Sequence, residues 1–406
     1  MQKYRYYLIL LLWFLINTVD PVKGQELTLV QVIERVREVS SELQRLQNQV
    51  KAKEGAHIQA GAVPNPEIGG TGGNEIQMLE IGQEIEYPGK RKARENQAGE
   101  EVQIAALELR QAQIEIAARV AALFFDILGT DKNVELLQEN LMVMEKFLQA
   151  AREKFNQGFG SKLDVIKGQV EQLRAKRVLL TARQELLTKK QDLKLLLKLE
   201  SGDQFTLRGM IEQSLFEPGS NPDSLLSLAY KNHPALQAKE HALIASQFGL
   251  QYARLSSKPN FNLNLAGGRE QNENRIELGL SIPLTLWDNK EGAKSEALFI
   301  EKSAENDVEN THLQITRKVI ANYQKFKTAL ETVHLFQDSI LDEARAVADS
   351  ARHAFESGPF RFLDLIDAQQ TYLDAALEYN ANLLELRLAE IELITSIGIP
   401  FPGGLK

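Results

Sequence analysis

The chain has 406 residues, with 47 Lys and Arg against 55 Asp and Glu and a formal net charge of −8. Hydrophobic residues make up 43% and charged residues 25%, near the soluble average, which excludes a polytopic helical membrane protein and a wholly disordered chain. The acidity argues against nucleic acid as a partner, since such a surface must neutralise phosphates. The absence of cysteine excludes disulfides, thiol catalysis, thiolate metal sites and a cysteine-linked lipid anchor.

Lys3 and Arg5 precede an apolar run from Leu8 to Ile16, and Asp20, Pro21 and Lys23 follow. This pattern predicts a secretory signal peptide over residues 1–24, with Gln25 first in the mature chain. The run is shorter than the ~20 residues a membrane-spanning helix needs, so the protein is expected to be exported.

The rest of the chain is written twice. KFNQGFGSKLDVIKGQ from Lys154 to Gln169 matches AFESGPFRFLDLIDAQ from Ala354 to Gln369. Gly158 pairs with Gly358, Leu163 with Leu363, Asp164 with Asp364 and Gln169 with Gln369. The order helix, β-hairpin, long helix, helix is expected in each half. The first repeat covers 25–215 with its hairpin at about 66–86. A Pro/Gly/Ser-rich linker covers 216–222. The second repeat covers 223–400 with its hairpin at about 260–283, and 401–406 form a tail.

Residues 88–157 and 288–357 each predict one helix of about 105 Å. Ile104, Leu107, Gln111, Ile114, Ala118, Ala121, Phe125 and Leu128 form the first stripe, and Ile315, Val319, Asn322, Phe326, Ala329, Val333, Phe336 and Ile340 the second. Steps of three and four mark a coiled coil. The first stripe loses phase near Asp131 and resumes at Leu137, so Gly129 predicts a local unwinding. Shorter helices are expected over 28–62, 161–199, 223–257 and 361–397. Taken in end-to-end pairs they match the long ones, which implies a rod of antiparallel coiled coil.

Strands are expected from Pro66 to Thr71 and from Glu75 to Ile85 around Gly72-Gly73-Asn74, then over Phe261–Leu265 and Ile276–Ile282. Each hairpin alternates apolar and polar residues. At about 9–11 residues a strand they would cross an outer membrane. An open sheet cannot stand in lipid, and the smallest single-chain barrels have about eight strands. Four strands therefore demand oligomerisation, and three chains would supply twelve. Tyr87 and Trp287 stand at strand ends, either as a membrane-interface belt or as corner packing.

The doubled G-x-x-x-x-L-D-(V/L)-I-x-x-Q motif with hairpins between resembles the TolC-type outer-membrane efflux channels over nearly the whole mature chain. Pro64-Asn65-Pro66-Glu67 and Ile85-Glu86-Tyr87-Pro88-Gly89-Lys90-Arg91 look most like its heavy-metal, CzcC-like branch. Pro88 stands where that branch usually has the first of two glycines. The resemblance implies a mainly α fold with a small β part. It also implies a homotrimer whose 12-stranded outer-membrane β-barrel continues into a 12-helix periplasmic α-barrel. The function implied is a passive gated conduit of a tripartite efflux system, carrying heavy-metal cations. Its partners would be a periplasmic membrane-fusion adaptor, an inner-membrane RND-type pump, outer-membrane lipid and copies of itself.

In such channels the Gly turns form the periplasmic tip. Carried over by the motif, Asp364 and Asp367 line the aperture. Acidic rings on a threefold axis would raise one another's pKa and could hold a divalent cation. Asp364 alternatively stabilises the positive end of its helix. Arg361 lies one turn before Asp364 and could lock the closed state. Ser161-Lys162-Leu163-Asp164 reads as a capping box, and Lys167 replaces the second acid of the other half. Gly158 and Gly358 read as left-handed positions ending the long helices. The same tip, with Leu163 and Leu363, would dock the adaptor.

No catalytic residue is expected. His57, His233, His241, His312, His334 and His353 show no metal spacing, no serine sits in a nucleophile elbow, and no phosphate loop occurs. Neither metal site nor cofactor is therefore expected, and the chain is not an enzyme. The alternatives are multidrug efflux or type I protein secretion on the same fold. A periplasmic coiled-coil adaptor or scaffold is a further rival, which the two equal repeats disfavour.

Overall fold

The computed structural model describes residues 25–73, 76–200, 204–215, 221–271, 273–357 and 361–401. The predicted signal peptide, most of the linker and nearly all of the tail lie outside them.

Each half begins with a helix that is broken once, where continuous helices were expected. In the first half α1 (Leu29–Val39) and α2 (Ser41–Ala60) meet at Ser40. Ser40 is extended, at φ −65° and ψ 116°, and its hydroxyl accepts from the Leu43 N–H at 3.3 Å. In the second half α5 (Pro222–Asn232) and α6 (Pro234–Ser256) meet at His233. Pro234 has no N–H to continue the ladder, so it starts a new helix at the favoured first position. The His233 imidazole accepts from the Ala235 N–H at 3.2 Å.

Burial lowers the His233 pKa to about 4, with Lys318 adding to the depression and Glu115 opposing it. The unfolded chain therefore binds the extra proton between about pH 6.5 and pH 4. The stability this neutral imidazole contributes is complete above its unfolded pKa and is lost as pH falls through the folded one. A shift of that size corresponds to about 3 kcal/mol. Thermal melts at pH 7 and pH 4.5 should show an acid loss that His233→Asn, which keeps a capping acceptor, largely removes; an unchanged acid loss would assign it elsewhere.

The long helix α3 (Lys90–Asn156) runs unbroken for 67 residues, about 100 Å. The unwinding expected at Gly129 is not there. The stripe changes phase because the neighbours of α3 change. One end of α3 packs on α2 and α6, the other on α4 (Lys162–Leu196) and α9 (Phe362–Ile397). Asn380 of α9 donates to the Gly129 carbonyl at 2.7 Å and to Asn133 at 2.6 Å. The interruption falls in the other half. There α7 (Glu291–Leu335) passes through a π-helical turn at Phe336–Ile340 into α8 (Leu341–Ser357).

The two hairpins join in one antiparallel sheet. Its strands are β2 (Glu67–Gly72), β3 (Ile76–Ile85), β5 (Phe261–Glu270) and β6 (Glu273–Ser281), neighbouring in that order. The helices α2, α3, α6 and α7 follow the same lateral order, so each strand continues into a helix. Strand β2 has six residues, close to the run expected from Pro66 to Thr71 but fewer than the about 9–11 of a membrane-crossing strand, because Pro64 and Pro66 donate nothing before it. Both outer edges, β2 and β6, have no partner among the described residues.

Sequence reasoning missed a second sheet. Residues Gln25–Leu27 (β1) pair in parallel with Phe205–Leu207 (β4). The strap that follows β4 crosses the middle of α3, where the Gly209 backbone lies so close to Phe124 that a Cβ would stand 3.1 Å from its ring. This level carries the main core, including Phe124, Ile127, Leu193, Leu393 and Ile394. Among the described residues no helix is long and apolar enough to cross a membrane.

Candidate functional site

Two regions carry polar chemistry: the tip where the Gly-turn segments lie, and one face of the sheet.

At the first tip, Gly158 takes φ +80°, the left-handed value that ends a helix at least cost. The N–H groups of Phe159 and Gly160 both donate to the Lys154 carbonyl at 2.9 Å. Ser161 then caps α4: its hydroxyl accepts from the Asp164 N–H at 3.1 Å and donates to the Asp164 carboxylate at 2.7 Å. Asp164 is thus engaged with its own helix start. Gly358 lies outside the described residues.

The fold brings the two tips together. Leu163, Asp164 and Lys167 of α4, Arg361 just before α9, and Phe362 and Leu363 of α9 line one cleft of about 680 Å³. Leu163 and Leu363 are both exposed, as is Phe159 between the glycines, at 86%. No sequence signal pointed to the link across this cleft. The Lys154 ammonium donates to the Phe355 carbonyl at 2.5 Å and lies 3.8 Å from the centre of that ring. Beneath it Met144, Phe147, Phe355, Phe362 and Leu365 form a separate small core.

Asp364 and Asp367 are exposed and lie on one side of α9. They line a groove of about 840 Å³ together with Gln370, Asp374 and, from α4, Arg174 and Arg177. The lock expected between Arg361 and Asp364 does not form. Arg361 holds the position before the helix, and only its backbone carbonyl meets Asp364, accepting from the N–H at 3.1 Å.

The register sorts the sheet into two faces. Ile68 stands opposite Ile81, Ile81 opposite Leu265, and Leu265 opposite Leu278. This exposed face continues through Leu79, Leu263, Ile276 and Leu280. From Ile276 to Ile282 it spans about 20 Å, close to the ~25 Å apolar band of an outer-membrane barrel. The other face is concave and carries Glu67, Glu80, Glu84, Asn262 and Asn264. By parity it also carries Glu270, Glu273, Arg275 and Glu277. Glu80 and Glu277 both stand opposite Ala266 and so share one level. Arg275 pairs with Glu270 at 2.5 Å.

At the strand-to-helix corner Tyr87 is half-buried, and its N–H donates to Asn260 at 3.1 Å. Trp287 exposes 93% of its surface, so no corner within the chain holds it. The Lys-Arg segment after Gly89 is a clamp that sequence reasoning marked without explaining. Buried Lys90 donates to the Lys258 carbonyl and to Asn260, both at 2.7 Å. Arg94 grips Glu86 and the Ala60 carbonyl at 2.7 and 2.8 Å. This ties three chain passages at one level. Among the described residues no cluster of His, Asp and Glu is arranged to hold a metal ion.

A sheet with one apolar exposed face, continued by helices about 100 Å long, is the build of a membrane-seated conduit rather than of a globular catalyst. The chain belongs to the outer membrane efflux protein family, whose model matches residues 32–197 and 225–399. It is an outer-membrane efflux channel component extending into the periplasm, and not an enzyme; the family works with adaptor and pump partners. The chain is similar to the cobalt-zinc-cadmium resistance protein CzcC of Cupriavidus metallidurans, with 25% identity over 82% of this chain and 80% of that protein. It is similar to the outer membrane protein TolC of Vibrio cholerae, with 21% identity over 71% and 70% of the two chains. Among solved structures, the channel CusC superposes with TM-score 0.77 at 14% identity over 91% of each chain. The outer-membrane channel OprN superposes with TM-score 0.76 at 17% identity, over 91% of this chain and 89% of the other.

Proposed function

We propose that three copies of this chain close side by side into a 12-stranded barrel and a helical tunnel that carry heavy-metal cations out of the cell. The substrate would arrive from an RND-type pump through a periplasmic adaptor seated on the tip cleft. The acidity of the concave sheet face carries the cation reading. Six glutamates stand there against Arg275 alone. In a closed barrel this face is the lumen, and low-dielectric walls focus its field and concentrate cations. Glu80 and Glu277 would repeat as a ring at one height, the arrangement that favours cations over anions in pores. The likeness to a cobalt-zinc-cadmium resistance protein agrees with it.

The aperture would lie at the tip, ringed by Asp364 and Asp367. Trp287 and Tyr87 would sit at the membrane interface, where an exposed indole is stabilised by headgroups. Both open edges of the sheet would be consumed by ring closure, since an unpaired edge in lipid is costly.

Growth of a deletion strain against graded zinc, cobalt, nickel, copper and silver, beside hydrophobic drugs, tests the substrate. Sensitivity confined to metals and restored by the intact gene is expected. Sensitivity to drugs alone would sink the cation reading and leave a multidrug channel.

A further inference from the structure

We infer that residues 282–290, between β6 and α7, dock an anionic phospholipid of the periplasmic leaflet. Leu284, Leu286 and Trp287 enter its acyl and ester region, and the Lys258 ammonium meets its phosphate. The inference rests on the reading of the sheet as the membrane wall.

The two halves of the chain differ at this place. In the first half four residues, 86–89, join β3 to α3. They are tied down by the bonds among Tyr87, Lys90, Asn260, Arg94 and Glu86, and Tyr87 is half-buried. In the second half nine residues, 282–290, join β6 to α7. Every one of them is exposed. Leu284 and Leu286 expose 73% and 69% of their surface, next to Trp287. The longer connection thus carries three large apolar side chains that no part of the described chain covers.

The loop holds its own shape. The Leu286 N–H donates to the Leu284 carbonyl at 3.0 Å, two residues back, which closes a tight turn. The Thr285 hydroxyl donates to the Ser257 carbonyl at 3.4 Å and fixes that turn beside the end of α6. Asp288 accepts from the Lys290 N–H at 3.1 Å and pairs with the Lys290 ammonium. Leucines and indole are therefore presented by a preformed turn, so little order remains to be imposed when they enter lipid.

Charge selects the kind of lipid. Lys290 is held by Asp288 and Lys294 by Glu291. Glu84 accepts from Asn260 at 2.6 Å and lines the concave face. Lys258, which follows Ser257, is exposed, and among the described residues no salt bridge engages it. A free ammonium beside an exposed indole and two leucines matches an anionic phospholipid part by part. The phosphate meets the ammonium, the ester level meets the indole, and the acyl chains meet the leucines. The patch is also continuous with Leu278, Leu280 and Ile282 of the apolar sheet face, so lipid against the wall borders the loop as well.

Trp287 is the only tryptophan after residue 24, so the emission of the exported chain reports this loop alone. The chain is reconstituted in phosphatidylcholine vesicles in which a minor fraction of the lipid is brominated phosphatidylglycerol or brominated phosphatidylcholine. The quenching constant of the first is expected to be about fivefold that of the second, the effect of one basic side chain at an anionic surface. Lys258→Gln should remove the preference, and Lys258→Arg should keep it. Equal quenching by the two lipids would overturn the headgroup site. Quenching by neither would overturn the whole inference and leave a neighbouring copy as the cover of the loop. Leu278→Trp in a Trp287→Phe chain reports the sheet face separately. Its quenching by bromines deep in the acyl chain keeps the membrane-wall reading whatever Trp287 does, and silence of both tryptophans sinks that reading itself.

Discussion

Glu390→Ala is expected to destabilise the chain by about 3–5 kcal/mol, the cost of stranding a buried charge. Glu390 is fully buried, and Arg387, one turn before it, is buried with it. Their side chains meet at 2.6 Å. The other carboxylate oxygen of Glu390 accepts from the Ser214 hydroxyl and the Leu215 N–H, both at 2.7 Å. Arg387 in turn donates to the Gln213 carbonyl at 3.0 Å. Burial lowers the Arg387 pKa, opposed by Glu390. The pair does more than neutralise itself, because it supplies the hydrogen bonds of a strap that has little regular structure of its own. Removing one partner leaves the guanidinium and two strap donors without it. Replacing both by apolar residues of similar size, Arg387→Met with Glu390→Leu, should recover much of the core stability, since buried pairs are often no better than packed hydrophobes. The strap should nevertheless loosen. Denaturant unfolding measures the first effect and amide exchange of Gln213 to Leu215 the second. Equal stability of Glu390→Ala and the parent would show that the strap does not need the pair.

Neutralising the proposed aperture should have the largest effect on transport. In a closed trimer, Asp364→Asn with Asp367→Asn would remove six charges from the narrowest part of the conduit. The cation-to-anion permeability ratio in planar bilayers is expected to fall by about tenfold, the lower end of what focused charge contributes. Any block by added divalent cations from the tip side should weaken in parallel, because carboxylate oxygens would be their ligands. The loss should be greatest at low salt, where screening is weakest. Stability should hardly change, since both residues are exposed and Asp364 contributes only about 0.3–1 kcal/mol at its helix start. Glu80→Gln with Glu277→Gln is the control for the barrel level. If that pair removed the selectivity and the aspartate pair did not, the filter would lie in the sheet and not at the tip. A capping role alone for Asp364 would appear as a small stability loss with an unchanged permeability ratio.

Much of this architecture is legible in the residues because it is periodic or local. The coiled-coil stripes of α3 and α7, the alternation of β5 and β6, and the Ser161–Asp164 box each depend on side chains within one element. The repeat made the reading stronger, because two halves had to obey the same order. Where sequence reasoning failed, contacts between distant segments decided. No period marks that Gln25–Leu27 will pair with Phe205–Leu207, that Arg387 and Glu390 will hold the strap, or that Lys154 will reach Phe355. Gly129 looked like a break in the helix. Its carbonyl instead accepts from Asn380, and the helix keeps its course because new neighbours take over there. The π turn falls where nothing in the composition of Phe336–Ile340 announces it. The amino-acid sequence by itself determined which elements form and which faces are apolar, since propensity and burial act within a few residues. The tertiary structure alone decided which polar groups meet, because a hydrogen bond between residues far apart in the chain exists only once the helices between them have been packed.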